Sequence, residues 1–250
     1  DRKRYEVSQI YRKRNKRSIK QIELLNRLLN NEKILKKEYS LDIIKKLVNE
    51  NIIKINKVNK YRINIDNNSF KKKELTLEQK EAVDKVEESF NKSEIFLLHG
   101  VTGSGKTEVY MELIEKVVKT GKCAILLVPE ISLTHQIVSR FYSRFGSDVA
   151  IFHSALSDGE KYDEYHKILN GDVHIVVGTR SAIFVPFEKI GIIILDEEQS
   201  SNYKQDSNPR YHARDIALLR SKYHNCPVVL GSATPSLETM ARAKKGVYTL

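Results

Sequence analysis

The sequence has no tryptophan and, among its 250 residues, only two methionines, five prolines and two cysteines. Cys123 and Cys226 are too few for a disulfide framework or a zinc cluster, and both fall in apolar, strand-like surroundings that suit buried reduced thiols. No apolar run approaches the ~20 residues of a membrane span, and the opening D-R-K-R-Y lacks the apolar stretch of a signal peptide. A soluble cytoplasmic protein is expected, with no membrane partner. Its length suffices for one domain of ordinary size and a smaller one.

Positive charge is abundant but unevenly placed. The net charge is +11, yet residues 1–74 carry 22 Lys+Arg against 9 Asp+Glu, while the remainder carries 21 against 23. The whole excess lies in the N-terminal third. A polyanion partner for that segment is one reading, because each phosphate contact releases counterions; a lysine-rich solvated surface is the other.

The stretch H-G-V-T-G-S-G-K-T-E, residues 99–108, fills the fixed positions of a P-loop with Gly100, Gly105, Lys106 and Thr107. It follows the apolar run of residues 95–98 and precedes a helical pattern, which is the setting the motif requires. Gly100, Gly103 and Gly105 allow backbone N–H groups to approach phosphate, and the helix starting near Lys106 adds its positive end. Lys106 is expected at the β- and γ-phosphates and the Thr107 hydroxyl on Mg²⁺. Thr102, Ser104 and Glu108 complete the expected nucleotide-binding segment.

Taken in order, residues 1–17 form a basic strip read as a linker from something upstream, so that the chain reads as a fragment. Residues 18–66 show helical spacing through Ile19, Ile22, Leu25, Leu28 and Leu29, with Ser18 as N-cap. A second helix runs from Ser40 to near Asn51. Alternating apolar residues then flank a polar turn at residues 56–59. Two helices and a two-stranded wing suggest a winged-helix DNA-binding domain, with a helical spacer as the alternative. Residues 67–74 are a polar linker. From residue 75 onward strands and helices alternate, with strands expected at residues 123–128, 149–152, 173–177, 190–195 and 228–230. The expected fold is α/β, a RecA-like P-loop domain whose parallel sheet is covered by helices on both faces. Ligands in such folds bind at the carboxyl ends of the strands.

Those strand ends carry the chemistry. After Leu195 comes Asp196-Glu197-Glu198-Gln199, where Asp196 suits Mg²⁺ and Glu197 suits activation of water. Val177 leads into Gly178-Thr179-Arg180-Ser181, and Leu230 into Gly231-Ser232-Ala233-Thr234. Upstream, Thr76 and Gln79 fit a helix capping box, while the Gln79 amide could equally read an adenine edge.

Seven blocks in this order carry a family resemblance: residues 100–110, 127–136, 153–157, 177–187, 196–205, 209–215 and 231–238. P-loop, D-E-x-x and S-A-T resemble the first motor lobe of superfamily 2 helicases. The full set resembles the PriA-type primosomal helicases, which restart stalled replication forks. The resemblance covers about residues 75–250 and implies ATP-driven 3′-to-5′ unwinding at branched DNA, with ATP and Mg²⁺ as cofactors. It assigns Lys106, Asp196 and Glu197 to catalysis, Gln79 to nucleotide, Thr179 and Arg180 to the single strand, and Ser232 and Thr234 to coupling. Residues 203–215 correspond to an aromatic-rich DNA-sensing loop. Within it Tyr203, Lys204, Arg210, Tyr211 and Arg214 offer rings and cations for bases or phosphates, against ordinary packing of the tyrosines.

The resemblance also implies primosome loader proteins and single-strand-binding protein as partners, and a nucleoid location. Zn²⁺ sites and an arginine finger belong to a second lobe that these residues do not contain, so slow or absent turnover is expected of the chain alone. Gln199 stands where that family has His, and retuned rather than lost coupling is expected. The alternative is another superfamily 2 translocase or an RNA-dependent ATPase.

Overall fold

The computed structural model describes residues 19–30, 34, 38–53 and 74–250. The chain divides into two units, residues 1–60 and 61–250. The first contains α1 (Ile19–Leu29) and α2 (Leu41–Asn49). Leu24, Ile44 and Leu47 are buried there, whereas Ile19 is 85% exposed. Arg27 bonds Glu38 at 3.0 Å and Tyr39 donates to Glu23 at 3.3 Å. Ser40 occupies the N-cap position of α2 without a side-chain cap bond. Ser18 and the expected wing from residue 54 onward lie outside the described residues.

The second unit opens with α3 (Leu77–Glu87) and β1 (Ile95–His99), followed by α4 (Lys106–Lys119), β2 (Cys123–Leu127), α5 (His135–Phe145) and β3 (Val149–Phe152). Then come α6 (Asp158–Leu169), β4 (Ile175–Gly178), β5 (Ile190–Leu195), a small hairpin of β6 (Lys204–Gln205) and β7 (Tyr211–His212), α7 (Ala213–His224), β8 (Val228–Ser232) and α8 (Leu237–Lys244). Six strands form one parallel sheet in the order β1-β8-β5-β2-β4-β3.

Strand residues alternate between two cores, as the two-residue period requires. Phe96, Ala124, Leu126, Ile192, Ile194 and Val229 pack with residues of α3, α4 and α5. Leu97, Ile125, Leu127, Ile193, Leu195 and Leu230 pack with Ile168, Ala182, Ile183, Ala213, Ala217 and Ala243 on the other face. A sheet buried on both sides needs continuous Val/Ile/Leu runs, each fully buried side chain contributing about 1.5–3 kcal/mol.

Three strands differ in their bounds from expectation, and the one expected at 123–128 ends one residue earlier, at Leu127. The strand expected at 173–177 begins at Ile175 and includes Gly178, because Ile175 and Gly178 pair with Val149 and Phe152 of β3. The strand expected at 228–230 continues to Ser232, which lies opposite His99 of β1. That register sets the last residue of β8 beside the entrance to the P-loop.

Candidate nucleotide and nucleic-acid site

The expected capping box of α3 is present: Gln79 N donates to Thr76 Oγ1 at 3.3 Å, and Thr76 N donates to Gln79 Oε1 at 3.0 Å. The amide nitrogen of Gln79 has a further use, donating to Ser104 O at 2.9 Å. One side chain thus ends the helix with its oxygen and tethers the P-loop with its nitrogen. A Cβ on Gly105 would strike that nitrogen, and Gly103 and Gly105 hold φ of 82° and 83°, the region where glycine is favoured.

Gly105 is also the N-cap of α4 and brings no side-chain cap bond. Glu108 N already donates to Gly105 O at 2.9 Å, so the Lys106 and Thr107 N–H groups are the ones open to an anion, with the helix dipole behind them. Lys106 Nζ folds over the loop, donating to Gly100 O at 2.8 Å and Val101 O at 3.4 Å, and lies 4.0 Å from Glu197. The half-buried Thr107 follows it, and exposed Thr102 and Ser104 form the loop's outer rim. This cradle fits a polyphosphate, and Thr107 with Asp196 supplies the hard oxygen donors a Mg²⁺ ion takes. Glu108, expected at the nucleotide, instead turns away: it is buried and pairs with Arg140 and, at 3.9 Å, Arg144. Its helix position directs it toward α5.

Asp196 follows the fully buried strand β5. Tyr110 of α4 donates to its Oδ1 at 2.9 Å, and Tyr203 donates to its main-chain oxygen at 2.5 Å and to Leu127 O at 3.0 Å. Burial holds the Asp196 carboxyl above the usual carboxylate range; the Tyr110 hydrogen bond opposes this, neighbouring Glu197 reinforces it, and Lys106 opposes it again. Burial, then the Asp196 charge, drives both tyrosine hydroxyls well above their ordinary range, so both remain donors. Tyr110 reaches Asp196 only because residue 231 is glycine: a Cβ there would overlap its hydroxyl. Tyr110 was not singled out in the sequence, since an aromatic residue on the inner face of a helix reads as core. The signal was Gly231 inside a strand, which marks a close approach.

A hydrogen-bond chain leaves the acidic loop. Gln199 Nε2 donates to Glu197 Oε2 at 2.8 Å, Ser232 Oγ donates to Gln199 Oε1 at 2.6 Å, and Thr234 N donates to Ser232 Oγ at 2.9 Å. The amide takes one donor and one acceptor role, as neutral imidazole would. Glu197 holds a left-handed backbone, φ 48°. Glu198 points the opposite way into protein: its carboxylate accepts from Ser236 N at 2.7 Å and Thr239 Oγ1 at 3.0 Å and lies 3.7 Å from Arg214.

The expected nucleic-acid surface is partly rearranged. Tyr203 is fully buried, so its ring presents no face to a base; packing and the bonds around Asp196 claim it. Arg214 is turned inward to Glu198 and, at 2.8 Å, Glu238, and is not displayed for phosphate. Thr179 is 4% exposed and its N–H donates to Phe152 O, so its side chain offers little surface. Arg180 braces the β6–β7 hairpin by donating to Lys204 O at 2.5 Å. Lys204 pairs with Asp206 at 2.9 Å; Lys204 and Arg210 are exposed and Tyr211 half-exposed. Among the described residues no helix is long and apolar enough to cross a membrane.

Comparison with known proteins agrees with this architecture. Replication restart protein PriA of Bacillus subtilis (strain 168) is 55% identical over 220 residues, covering 86% of this chain and 27% of that protein. Its namesake in Treponema pallidum (strain Nichols) is 47% identical over 172 residues, or 69% and 26%. The chain thus spans about a quarter of the length of these relatives. Among solved structures, RecG bound to a three-way DNA junction matches with a TM-score of 0.50 and 27% identity, over 69% of this chain and 23% of that one. A model of the DEAD/DEAH box helicases matches residues 76–243, from the capping box of α3 almost to the end of α8. A parallel sheet that brings P-loop, acidic loop and S-A-T segment together is what that match leads one to expect, and the chain belongs to the DEAD/DEAH box helicase family.

Proposed function

We propose that this chain is the nucleotide-binding motor lobe of an ATP-dependent DNA helicase that moves 3′ to 5′ and acts at stalled or branched forks to restart replication. The observation that carries the reading is the unbroken chain from Glu197 through Gln199 and Ser232 to Thr234, which ties a water-activating carboxylate to a loop outside the nucleotide cradle. The 55% identity to a replication restart protein supplies the biological setting.

Bound MgATP supplies the phosphoanhydride to be cleaved and the divalent charge on its phosphates. The Lys106 side chain and the backbone N–H groups of Lys106 and Thr107 bind phosphate oxygens. Thr107 and Asp196 would hold the metal, with Tyr110 and Tyr203 fixing Asp196 in place. Glu197 orients the attacking water and takes its proton at a carboxylate oxygen. Once protonated, Glu197 is a weaker acceptor for Gln199, and the change passes to Ser232 and the Thr234 amide. Arg180, Lys204, Arg210 and Tyr211 face the strand being moved.

Residues 18–66 contribute a DNA-binding module. A second motor lobe with an arginine finger and Zn²⁺ sites completes the enzyme, so the lobe alone turns over slowly or not at all, since a finger contributes ~10³ to 10⁵ in rate. Primosome loader proteins and single-strand-binding protein are its partners, in the nucleoid.

The test is ATP turnover by the complete gene product without nucleic acid and with single-stranded RNA, blunt duplex or a branched DNA fork. Strong stimulation by the fork is expected. Equal rates throughout would leave a P-loop ATPase without this role, and preference for RNA would make it an RNA-dependent translocase.

A further inference from the structure

Phe184 is the last residue of the short 3₁₀ turn Arg180–Phe184 that follows β4, and it is 52% exposed. Its ring and that of Tyr211 meet edge to face, 4.9 Å between centroids and 78° between planes. Tyr211 belongs to the hairpin, paired through Gln205, and the same hairpin is braced by Arg180 through Lys204 O. Two aromatic rings from two elements, one guanidinium and two exposed cations, Lys204 and Arg210, therefore share one edge of the strand-end face. One carboxylate, Asp206, stands among them and pairs with Lys204. A large aromatic ring left half in water has unspent stacking area.

We propose that Phe184 and Tyr211 form a stacking corner for one unpaired nucleobase of a single strand whose phosphates run past Arg180 and Arg210. The corner rests on the proposed nucleic-acid function and adds to it a residue that reads bases rather than backbone. Nucleobases are the occupant because the site joins a flat apolar face to cations. That pairing suits a base on a charged backbone and is sequence-tolerant, since every base has a π face. With 52% of Phe184 exposed, ring area remains for a base beside the contact with Tyr211. The Arg180 bond to the hairpin fixes the corner before the strand arrives, limiting the ordering cost of binding.

The experiment measures binding of the 250-residue chain to a fluorescent single-stranded oligonucleotide and to the same strand carrying a tract of abasic sites, at several salt concentrations. Wild type is compared with Phe184→Ala and Phe184→Leu, the second keeping apolar volume without a π face. Phe184→Ala is expected to weaken binding to the base-bearing strand roughly 5- to 150-fold, the range for loss of one aromatic stack. Phe184→Leu is expected to lose most of the same factor, and the salt dependence to stay unchanged because no phosphate contact is removed. Wild type on the abasic strand should fall at least to the level of Phe184→Ala, whose own preference for the base-bearing strand should be reduced to what Tyr211 alone supplies. Nucleotide binding by both variants reports that the lobe is folded. Should Phe184→Ala fail to fold, Phe184→Leu and the abasic comparison carry the test. Variants that bind within twofold of wild type, or that keep its preference for bases, overturn the corner and leave the motor reading standing. Wild type that binds no single strand overturns both.

Discussion

Removing the Glu198 carboxylate should cost far more than its position in an exposed acidic motif would suggest. Its side chain has no solvent exposure, and it accepts from the Ser236 N–H and the Thr239 hydroxyl while neutralising Arg214, whose side chain is 12% exposed. Arg214 Nε already has no hydrogen-bond partner. Glu198→Ala would leave that guanidinium with two carboxylates at the surface, Glu238 at 2.8 Å and Asp215 at 3.8 Å, and strand the first N–H of the α8 cap. Breaking a buried pair in this way costs about 3–5 kcal/mol. Glu198→Gln keeps an acceptor for Ser236 but loses the charge facing Arg214, and should cost roughly 1–3 kcal/mol. Urea unfolding, followed by far-UV circular dichroism and tyrosine fluorescence in a chain with no tryptophan, reads both. With a slope of about 2–3 kcal/mol per molar, the alanine variant's midpoint should fall by about 1–2 M and the glutamine variant's by less. Adding Thr239→Val to Glu198→Ala should cost less than the sum of the two singles, since they share one hydrogen bond. An alanine variant within about 0.3 M of wild type would show that the buried carboxylate is not what joins these segments.

Three further outcomes follow from the cradle. Lys106→Ala should weaken nucleotide binding roughly 10- to 150-fold, the worth of charge-assisted bonds, with cooperative unfolding retained; calorimetric titration and a urea melt check the two halves. Tyr110→Phe removes a bond that pulls the Asp196 carboxyl down against its burial, so the carboxyl rises further and requires a higher pH to ionise. The acid limb of the turnover profile of the complete gene product should therefore move to higher pH, and an unmoved limb would place Asp196 outside the rate-determining ionisation. Gly105→Ala meets both a left-handed backbone and the Gln79 amide, so it should destabilise the lobe by about 1–2 kcal/mol and weaken nucleotide binding; thermal melts with and without nucleotide separate the effects.

The parallel sheet, the P-loop and the acidic strand end were legible in the sequence because each depends on local pattern: apolar runs, fixed glycine spacing and a carboxylate after a strand. The capping box at Thr76 was legible for the same reason. Strand order was not, since β8 inserts between β1 and β5 from far along the chain. Tyr203 illustrates the limit more sharply. A tyrosine among cations in a loop reads as a base-stacking residue, but whether its ring faces water depends on what packs over the loop, and here the core takes it. Gln79 shows another case: its oxygen serves the cap, as local pattern indicates, while its nitrogen reaches Ser104 O of the P-loop, a contact that depends on two segments meeting in space and that no local pattern announces.

The strand that carries the P-loop is held by late-arriving residues. Ile95 to His99 pair with Val228 to Ser232, and Leu97 N and Ile95 O bond the backbone of Thr249 on the other side. At ~5–20 residues per second of synthesis, β1 leaves the ribosome about 7 to 30 s before its neighbour exists. Throughout that interval a short apolar strand with unpaired edges precedes a glycine-rich loop that has nothing to bind against. The nucleotide cradle is thus begun well over a hundred residues before it is finished, which makes the nascent chain, rather than the folded lobe, the form most dependent on chaperone shelter.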